Sequence, residues 1–504
     1  MRTTDDVGGA TAPASSELTE VTSAETPHAG MDNRLRWLAF VTLCLGDLMI
    51  VLDSTIVNVA LPSIRSSLGF SEASLVWVVN GYLLTYGGFL LLGGRLADLY
   101  GQRRLFLNGL IGFTVASLAC GVAPSQGVLV VARAVQGVGG AVVSAVALSL
   151  IMDLFPEGPQ RVRAMGYFGF VMAGGGSIGV LLGGLIGNLL DWRWIFLVNL
   201  PIGVGVIALA LRLLPKAGLG RQSGRLDIAG AVLVTTSLLL AVYGIVDGER
   251  AGWTSVQTGA TLGGAALLIV VFLIVESRVS APIVPLGLFR LRNVATANVV
   301  SVLWAAAMFA WFFLSALYLQ LVLGYDPLQV GLAFLPANLI MGAFSYSLSA
   351  KTVNRFGLRA PLVAGLLLAA LGLALFALAP VDGRFVVHVL PSMLLLGIGG
   401  GLAFNPVLLA AMNDVEPAQS GLASGVVNTA FMMGGALGLA ILASLAAAIT
   451  ADLAAAGAGV QAALNGGYQA AFGVGALCAA VAAAVAAVFL NPGREPAAGM
   501  AAAH

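Results

Sequence analysis

The chain has 504 residues, of which 59% are hydrophobic and 9% charged, with a net charge of +1 and a mean hydropathy of +0.97. A soluble domain carries about 25% charged residues, so this composition excludes a water-exposed globule, and the near-neutral balance excludes a nucleic-acid partner. The apolar residues fall in blocks of about 20, the length that crosses a hydrocarbon core of roughly 30 Å, and backbone in lipid must bond internally, so the blocks are predicted helices rather than barrel strands.

Residues 1–33 are rich in Ser, Thr, Glu, Gly and Ala and contain no apolar run; they read as a disordered tail with no cleavable leader. Six apolar blocks follow: Trp37–Val59, Leu75–Gly93, Leu105–Ala123, Gly127–Leu150, Ala164–Leu189 and Trp194–Leu214. Ile228–Val246 and Gly259–Val275 come next, and then Ala295–Leu323, Val330–Ser349, Ala360–Leu378, Phe385–Ala410, Gly421–Ile449 and Tyr468–Leu490. That makes fourteen predicted spans in an all-α polytopic membrane protein. Its expected organisation is a six-helix half over 34–214, a linker with two extra helices over 215–280, a second six-helix half over 281–492 and a tail over 493–504.

Charge in the connections tests this count. With the N-terminus in the cytoplasm, 19 of the 24 Lys and Arg residues fall on the cytoplasmic side and four outside, while Arg133 lies within a span. Positive charge in short loops marks the cytoplasmic face, so both termini are expected inside. The chain also repeats. Asp98-Leu-Tyr-Gly101-Gln-Arg103 after the second block matches Asn354-Arg-Phe-Gly357-Leu-Arg359 after the tenth. Gly175-Gly176-Ser-Ile-Gly179 in the fifth matches Gly434-Gly435-Ala-Leu-Gly438 in the thirteenth. Both matches follow if each half has six helices and two lie between, a plan known among transporters.

The connection Gly94-Arg95-Leu96-Ala97-Asp98-Leu99-Tyr100-Gly101-Gln102-Arg103-Arg104 resembles the signature of the major facilitator superfamily, Gly-x-Leu-Ala-Asp-x-x-Gly-x-Arg/Lys. Its glycines permit a tight turn, and the Asp98 carboxylate suits a helix N-terminus across the seam. Gly94, Asp98, Gly101, Arg103 and Arg104, with Asn354, Gly357 and Arg359 of the second copy, are therefore expected to form a cytoplasmic gating loop. Asn354 replaces the acid, so the second latch should be weaker. Leu52-Asp53-Ser54-Thr55-Ile56-Val57-Asn58-Val59-Ala60-Leu61-Pro62 and Trp192-Arg193-Trp194-Ile195-Phe196-Leu197-Val198-Asn199-Leu200-Pro201-Ile202-Gly203 resemble the fourteen-spanner drug:proton antiporters of the EmrB/QacA type. That resemblance covers about residues 37–490 and implies export of bulky amphipathic or cationic compounds in exchange for protons, from a bacterial cell membrane.

Arg133-Ala-Val-Gln136-Gly137 in the fourth block matches the superfamily's Arg-x-x-Gln-Gly segment. An arginine within a span is expensive and pairs inside the bundle. Asp53, placed near the outer end of the first helix and at the depth of Arg133, is its expected partner. A changing distance between the two would load and release a proton; a static orienting pair is the rival reading. Asp47 points about 120° away from Asp53 around the same helix and is a second proton carrier, a contact for a cationic substrate or a structural carboxyl. Asp47, Gln136, Asn405, Asn428 and Met432 are expected to line the substrate cavity, although for Met432 ordinary packing is the stronger reading. Gly175, Gly179, Gly183 and Gly184 form a small-residue packing face. The related antiporter motif reads Gly-Pro-x-x-Gly-Gly, and here Val180 stands in place of its proline.

Cys44, Cys120 and Cys478 lie in apolar blocks without metal-ligand spacing and read as core residues; no metal or cofactor is expected, the energy source being a proton gradient. The expected partners are a small-molecule substrate, protons and membrane lipids, and a monomer suffices. The function read from the sequence is proton-coupled efflux by alternating access. Its rivals are export or import of a specific endogenous metabolite, and a membrane enzyme or receptor, for which no reactive constellation or soluble domain is visible.

Overall fold

A computed structural model describes residues 32–155, 159–214, 227–279, 282–345, 349–416 and 419–491. Every regular element among them is helical. The chain opens with α1 (Asn33–Leu68), α2 (Glu72–Leu75), α3 (Trp77–Tyr100), α4 (Gln102–Gly121), α5 (Gln126–Leu154), α6 (Pro159–Leu189), α7 (Trp194–Leu197) and α8 (Asn199–Leu213). Next come α9 (Ile228–Ala251) and α10 (Val256–Arg278). The remaining helices are α11 (Arg292–Leu317), α12 (Pro327–Ala343), α13 (Ser349–Phe356), α14 (Arg359–Phe376), α15 (Leu390–Asn413), α16 (Ser420–Ala455) and α17 (Val460–Phe489).

Thirteen helices among the described residues are long and apolar enough to cross a membrane. The tenth predicted block instead gives α12, an apolar helix of 17 residues that stops just short of the undescribed 346–348. Other boundaries shift for local reasons. α1 runs through Pro62 and ends at Gly69, whose φ of 71° caps the helix. Asp53 therefore sits in the middle third of a 36-residue helix rather than near its end. The sixth block is broken at Val198 into α7 and α8, and the second begins with the single turn α2. The connection after the tenth block contains an extra helix, α13, before Gly357. Gly101 and Gly357 occupy the same place in the two motif copies, and both are left-handed, at φ 91° and 74°. Only glycine enters that region without strain.

Packing follows the repeat. α1 packs on α6 and α8, α3 on α5, and α4 on α5 and α8. The same pattern recurs as α11 on α16 and α17, α12 on α15, and α14 on α15 and α17. The two bundles meet along two equivalent seams, α3 with α16 and α6 with α12. Hydrogen bonds cross between them: Asn80 Nδ2 near the start of α3 donates to Ala436 O at 2.8 Å, and Gln320 Nε2 to Val59 O of α1 at 3.0 Å. α9 lies on α3 and α16, and α10 packs on α9. The intervening helix pair thus covers one seam and leaves the other uncovered.

Glycines set the closest approaches. Gly175, Gly179 and Gly183 face α1, where an added Cβ on Gly183 would stand 2.7 Å from Ile56 O and one on Gly179 2.9 Å from Leu52 O. Gly184 faces α12 instead, 2.6 Å from Pro327 O on the same measure. α6 is one uninterrupted helix of 31 residues, in keeping with Val180 where a proline would kink it.

Candidate coupling site

Asp53, midway along α1, is fully buried, and so is Arg133 of α5. Their side chains form an ion pair. Asp53 Oδ2 faces the guanidinium, while Oδ1 accepts from Gln136 Nε2 at 2.7 Å and from Asn199 Nδ2 at 2.8 Å. Arg133 also donates to Gln136 Oε1 at 2.6 Å and, through Nε, to Val78 O at 2.9 Å. Gln136 Nε2 reaches Ser117 Oγ at 2.8 Å. The Arg133 guanidinium lies 4.5 Å over the Tyr82 ring and 5.6 Å from that of Phe196.

This cluster draws on α1, α3, α4, α5, α7 and α8. Each contribution has a local reason. Arg133 and Gln136 are three apart on one helix and so share a face. The break at Val198 places Asn199 at the first turn of α8, turned into the bundle beside Asp53. A charge pair buried this deeply persists only when its remaining donors and acceptors find partners; here both Asp53 oxygens and the Nε and Nη1 of Arg133 have them. Movement of α1 against α5 or α8 would break several of these bonds together.

Asp47 stands apart. It is buried and accepts a hydrogen bond from Ser144 Oγ of α5. Tyr82 and Tyr86 stack at 5.7 Å between centroids, and the Tyr82 hydroxyl is buried without a hydrogen-bond partner. Gln136, expected on the cavity wall, lies wholly inside the Asp53 cluster. Asn405 donates to Ser345 O at 2.8 Å, tying α15 to the end of α12. Asn428 is half-buried on α16. Met432 packs on α3, where a Cβ on Gly87 would stand 2.9 Å from its own Cβ. Near these three, Phe431 meets Phe309 at 5.8 Å and Phe404 at 5.9 Å, an aromatic wall from α11, α15 and α16.

In the loop motif, Gly94 faces open space and Arg104 is exposed. Arg103 donates to Leu211 O at 2.6 Å, a contact within its own bundle rather than across the seam. Arg359 is exposed at the start of α14. The side chains of Asp98 and Asn354 lie outside the described residues, so the expected latch carboxylate and its replacement have no geometry to report. Among the described residues no group of three or more metal-ligating side chains occurs.

Sequence reasoning paired Asp53 with Arg133 but assigned no role to Asn199 or Ser117. Asn199 belongs to the segment that carried the narrower resemblance, so its signal was present and unused; Ser117 had none.

The family model described as Major Facilitator Superfamily matches residues 43–439. The puromycin resistance protein pur8 of Streptomyces alboniger is 39% identical over 419 residues, covering 83% of each chain. The cephamycin export protein CmcT of Amycolatopsis lactamdurans is 40% identical over 412 residues, 81% of this chain and 84% of that one. Among solved structures, a bacterial homologue of the human lysosomal transporter Spinster, inward-facing and unoccupied, superposes with a TM-score of 0.64 at 17% identity, over 92% of this chain and 100% of that one.

Proposed function

The chain belongs to the Major Facilitator Superfamily, and on that premise we propose that it exports small amphipathic, antibiotic-type compounds across the bacterial cell membrane in exchange for protons. It is a multi-span transporter rather than an enzyme. The names of pur8 and CmcT, one a resistance protein and one an exporter, support efflux as the direction and natural-product-like molecules as the cargo. The proton coupling rests on one observation, the fully buried Asp53–Arg133 pair with its amide donors.

In this reading α12 completes a fourteenth span. Two six-helix halves over 34–214 and 281–492 rock about the seams, and both termini face the cytoplasm. Protonation of Asp53 discharges the carboxylate and releases the guanidinium, favouring one bundle arrangement; loss of the proton restores the cluster and favours the other. Asp47 and the Phe309–Phe404–Phe431 wall are the substrate contacts, with Asn405, Asn428 and Met432 beside them. The loop bearing Asp98 sets the balance between states.

The test is transport by purified protein in proteoliposomes with an imposed pH gradient and a panel of amphipathic compounds. Accumulation against the substrate gradient that collapses with a protonophore is the expected result. Accumulation that ignores the pH gradient would remove the coupling, and transport of none of the panel would remove the cargo class.

A further inference from the structure

Asp47 and Asp53 lie on one helix, six residues or about 9 Å apart along its axis. Each has its own partner on α5: Gln136 Nε2 donates to Asp53 at 2.7 Å, and Ser144 Oγ donates to Asp47. Gln136, Gly140 and Ser144 follow one another at four-residue steps, so they stand in one row along α5, about 6 Å apart. The middle member of the row has no side chain.

The hydroxyl of Tyr82, from α3, occupies that middle place. An added Cβ on Gly140 would stand 3.2 Å from it and 3.5 Å from Ile50 Cγ2, and Ile50 is itself halfway between Asp47 and Asp53 on α1. Tyr82 is 2% exposed, and its hydroxyl has no hydrogen-bond partner. A buried hydroxyl left unpaired in a native fold calls for a reason. The Tyr82 ring has one, since it lies under the Arg133 guanidinium at 4.5 Å, but that contact needs only a phenyl group.

The charged and titratable groups within electrostatic reach of this hydroxyl are Tyr86, Asp53, Arg133 and Asp47. Tyr86 stacks on Tyr82 at 5.7 Å between centroids and hydrogen-bonds Ser144, the residue that donates to Asp47. The unpaired hydroxyl therefore stands between two polar groups, one around each aspartate, that share no hydrogen bond of their own among the described residues.

We infer that Tyr82 is a relay through which the proton passes between Asp53 and the Ser144–Asp47 pair. This rests on the coupling reading, in which Asp53 carries the proton and α1 runs outward. Asp53 is the nearer of the two aspartates to the outer end of α1, so a proton entering from outside reaches it first. The Asp53 carboxyl then gives its proton toward Tyr82 Oη as the Tyr82 proton moves on toward Ser144 and Asp47, with a water molecule bridging each turn. Asp53 is left as a carboxylate and Asp47 as a carboxylic acid. Tyr82 ends neutral, one O–H bond broken and one formed, and no tyrosinate is needed. A proton arriving at Asp47 cancels the charge that holds a cationic cargo, which ties proton entry to cargo release.

The test uses purified protein in proteoliposomes with ethidium as the cargo and trapped pyranine reporting proton movement. Tyr82→Phe keeps the ring over Arg133 and removes only the hydroxyl. Accumulation driven by a pH gradient should slow by about tenfold or more, the scale of a lost proton-transfer group, while counterflow without a gradient stays at the parent rate. In the Tyr82→Phe background, Gly140→Ser returns a hydroxyl to the same place and should restore accumulation. Gly140→Ala fills the space without a hydroxyl and should not. Size-exclusion elution checks folding; if the Gly140 variants fail it, deuterium oxide decides, slowing accumulation by the parent but not by Tyr82→Phe. If Tyr82→Phe accumulates ethidium like the parent, the relay is wrong and coupling through Asp53 stands. Loss of counterflow in Tyr82→Phe, or rescue by Gly140→Ala, makes the hydroxyl a packing group and overturns the relay as well. If the parent accumulates no ethidium, or does so without moving protons, the coupling reading falls and the inference falls with it.

Discussion

Removing the charge of Asp53 separates what the buried pair does for folding from what it does for transport. In Asp53→Asn, Oδ1 still accepts from Gln136 and Asn199, but an amide donor now faces the Arg133 guanidinium. Arg133 keeps Val78 O, Gln136 Oε1 and the Tyr82 ring and loses its counter-charge. Breaking a buried pair from one side costs about 3–5 kcal/mol, a large share of the 5–15 kcal/mol that holds a typical fold. The second variant, Asp53→Asn with Arg133→Gln, removes both charges. Replacing both partners is about neutral, so most of that stability should return. Thermal unfolding in detergent, followed by size-exclusion elution, reads the stability. Proteoliposomes read the coupling, as uphill accumulation driven by a pH gradient against downhill counterflow without one. Both variants should lose uphill accumulation, while the double variant unfolds near the parent temperature and retains counterflow. If the double variant again concentrates substrate, Asp53 is not the proton carrier and the cluster is a structural pair.

Asn199→Ala leaves Asp53 Oδ1 with Gln136 alone and should cost about 1–3 kcal/mol, with the pH dependence of transport displaced in the same assay. Asp47→Asn keeps a partner for Ser144 and should lower the preference for cationic over neutral substrates about tenfold; an unchanged ratio across the panel removes Asp47 from the substrate path. Gly184→Val places branched carbons where a single Cβ already meets Pro327 O at 2.6 Å, and overpacking of this kind costs about 1–3 kcal/mol, so the folded peak on size exclusion should shrink relative to Gly174→Ala. For orientation, with the three native cysteines replaced, Arg104→Cys should be shielded from an impermeant thiol reagent in intact cells and Trp253→Cys labelled; the opposite pattern overturns the topology.

Much of this protein was legible from residue order. Blocks of about 20 apolar residues can only be helices in lipid, and thirteen of the described helices are long and apolar enough to span. The depth match between Asp53 and Arg133 predicted their ion pair, because a lone buried charge is too costly to leave unpaired. The two loop motifs predicted matching turns, and Gly101 and Gly357 both adopt positive φ. Other features were invisible. Gln136 looked like a cavity residue because polarity in a span marks function without saying which neighbour it serves, and only the packed bundle brought it to Asp53, Ser117 and Asn199. The first apolar block was read to end at Val59, yet the helix continues through Pro62 to Leu68 and is capped by Gly69. The inequality of the two seams appears in no repeat. It arises because α9 packs on α3 and α16 while nothing packs equivalently on α6 and α12 among the described residues. Sequence sets which segments enter the bilayer and which charges must find partners, since those follow from transfer energies of single residues. Which faces meet, and which seam α9 covers, depends on the fit of whole helices against one another, and that is decided only when they pack.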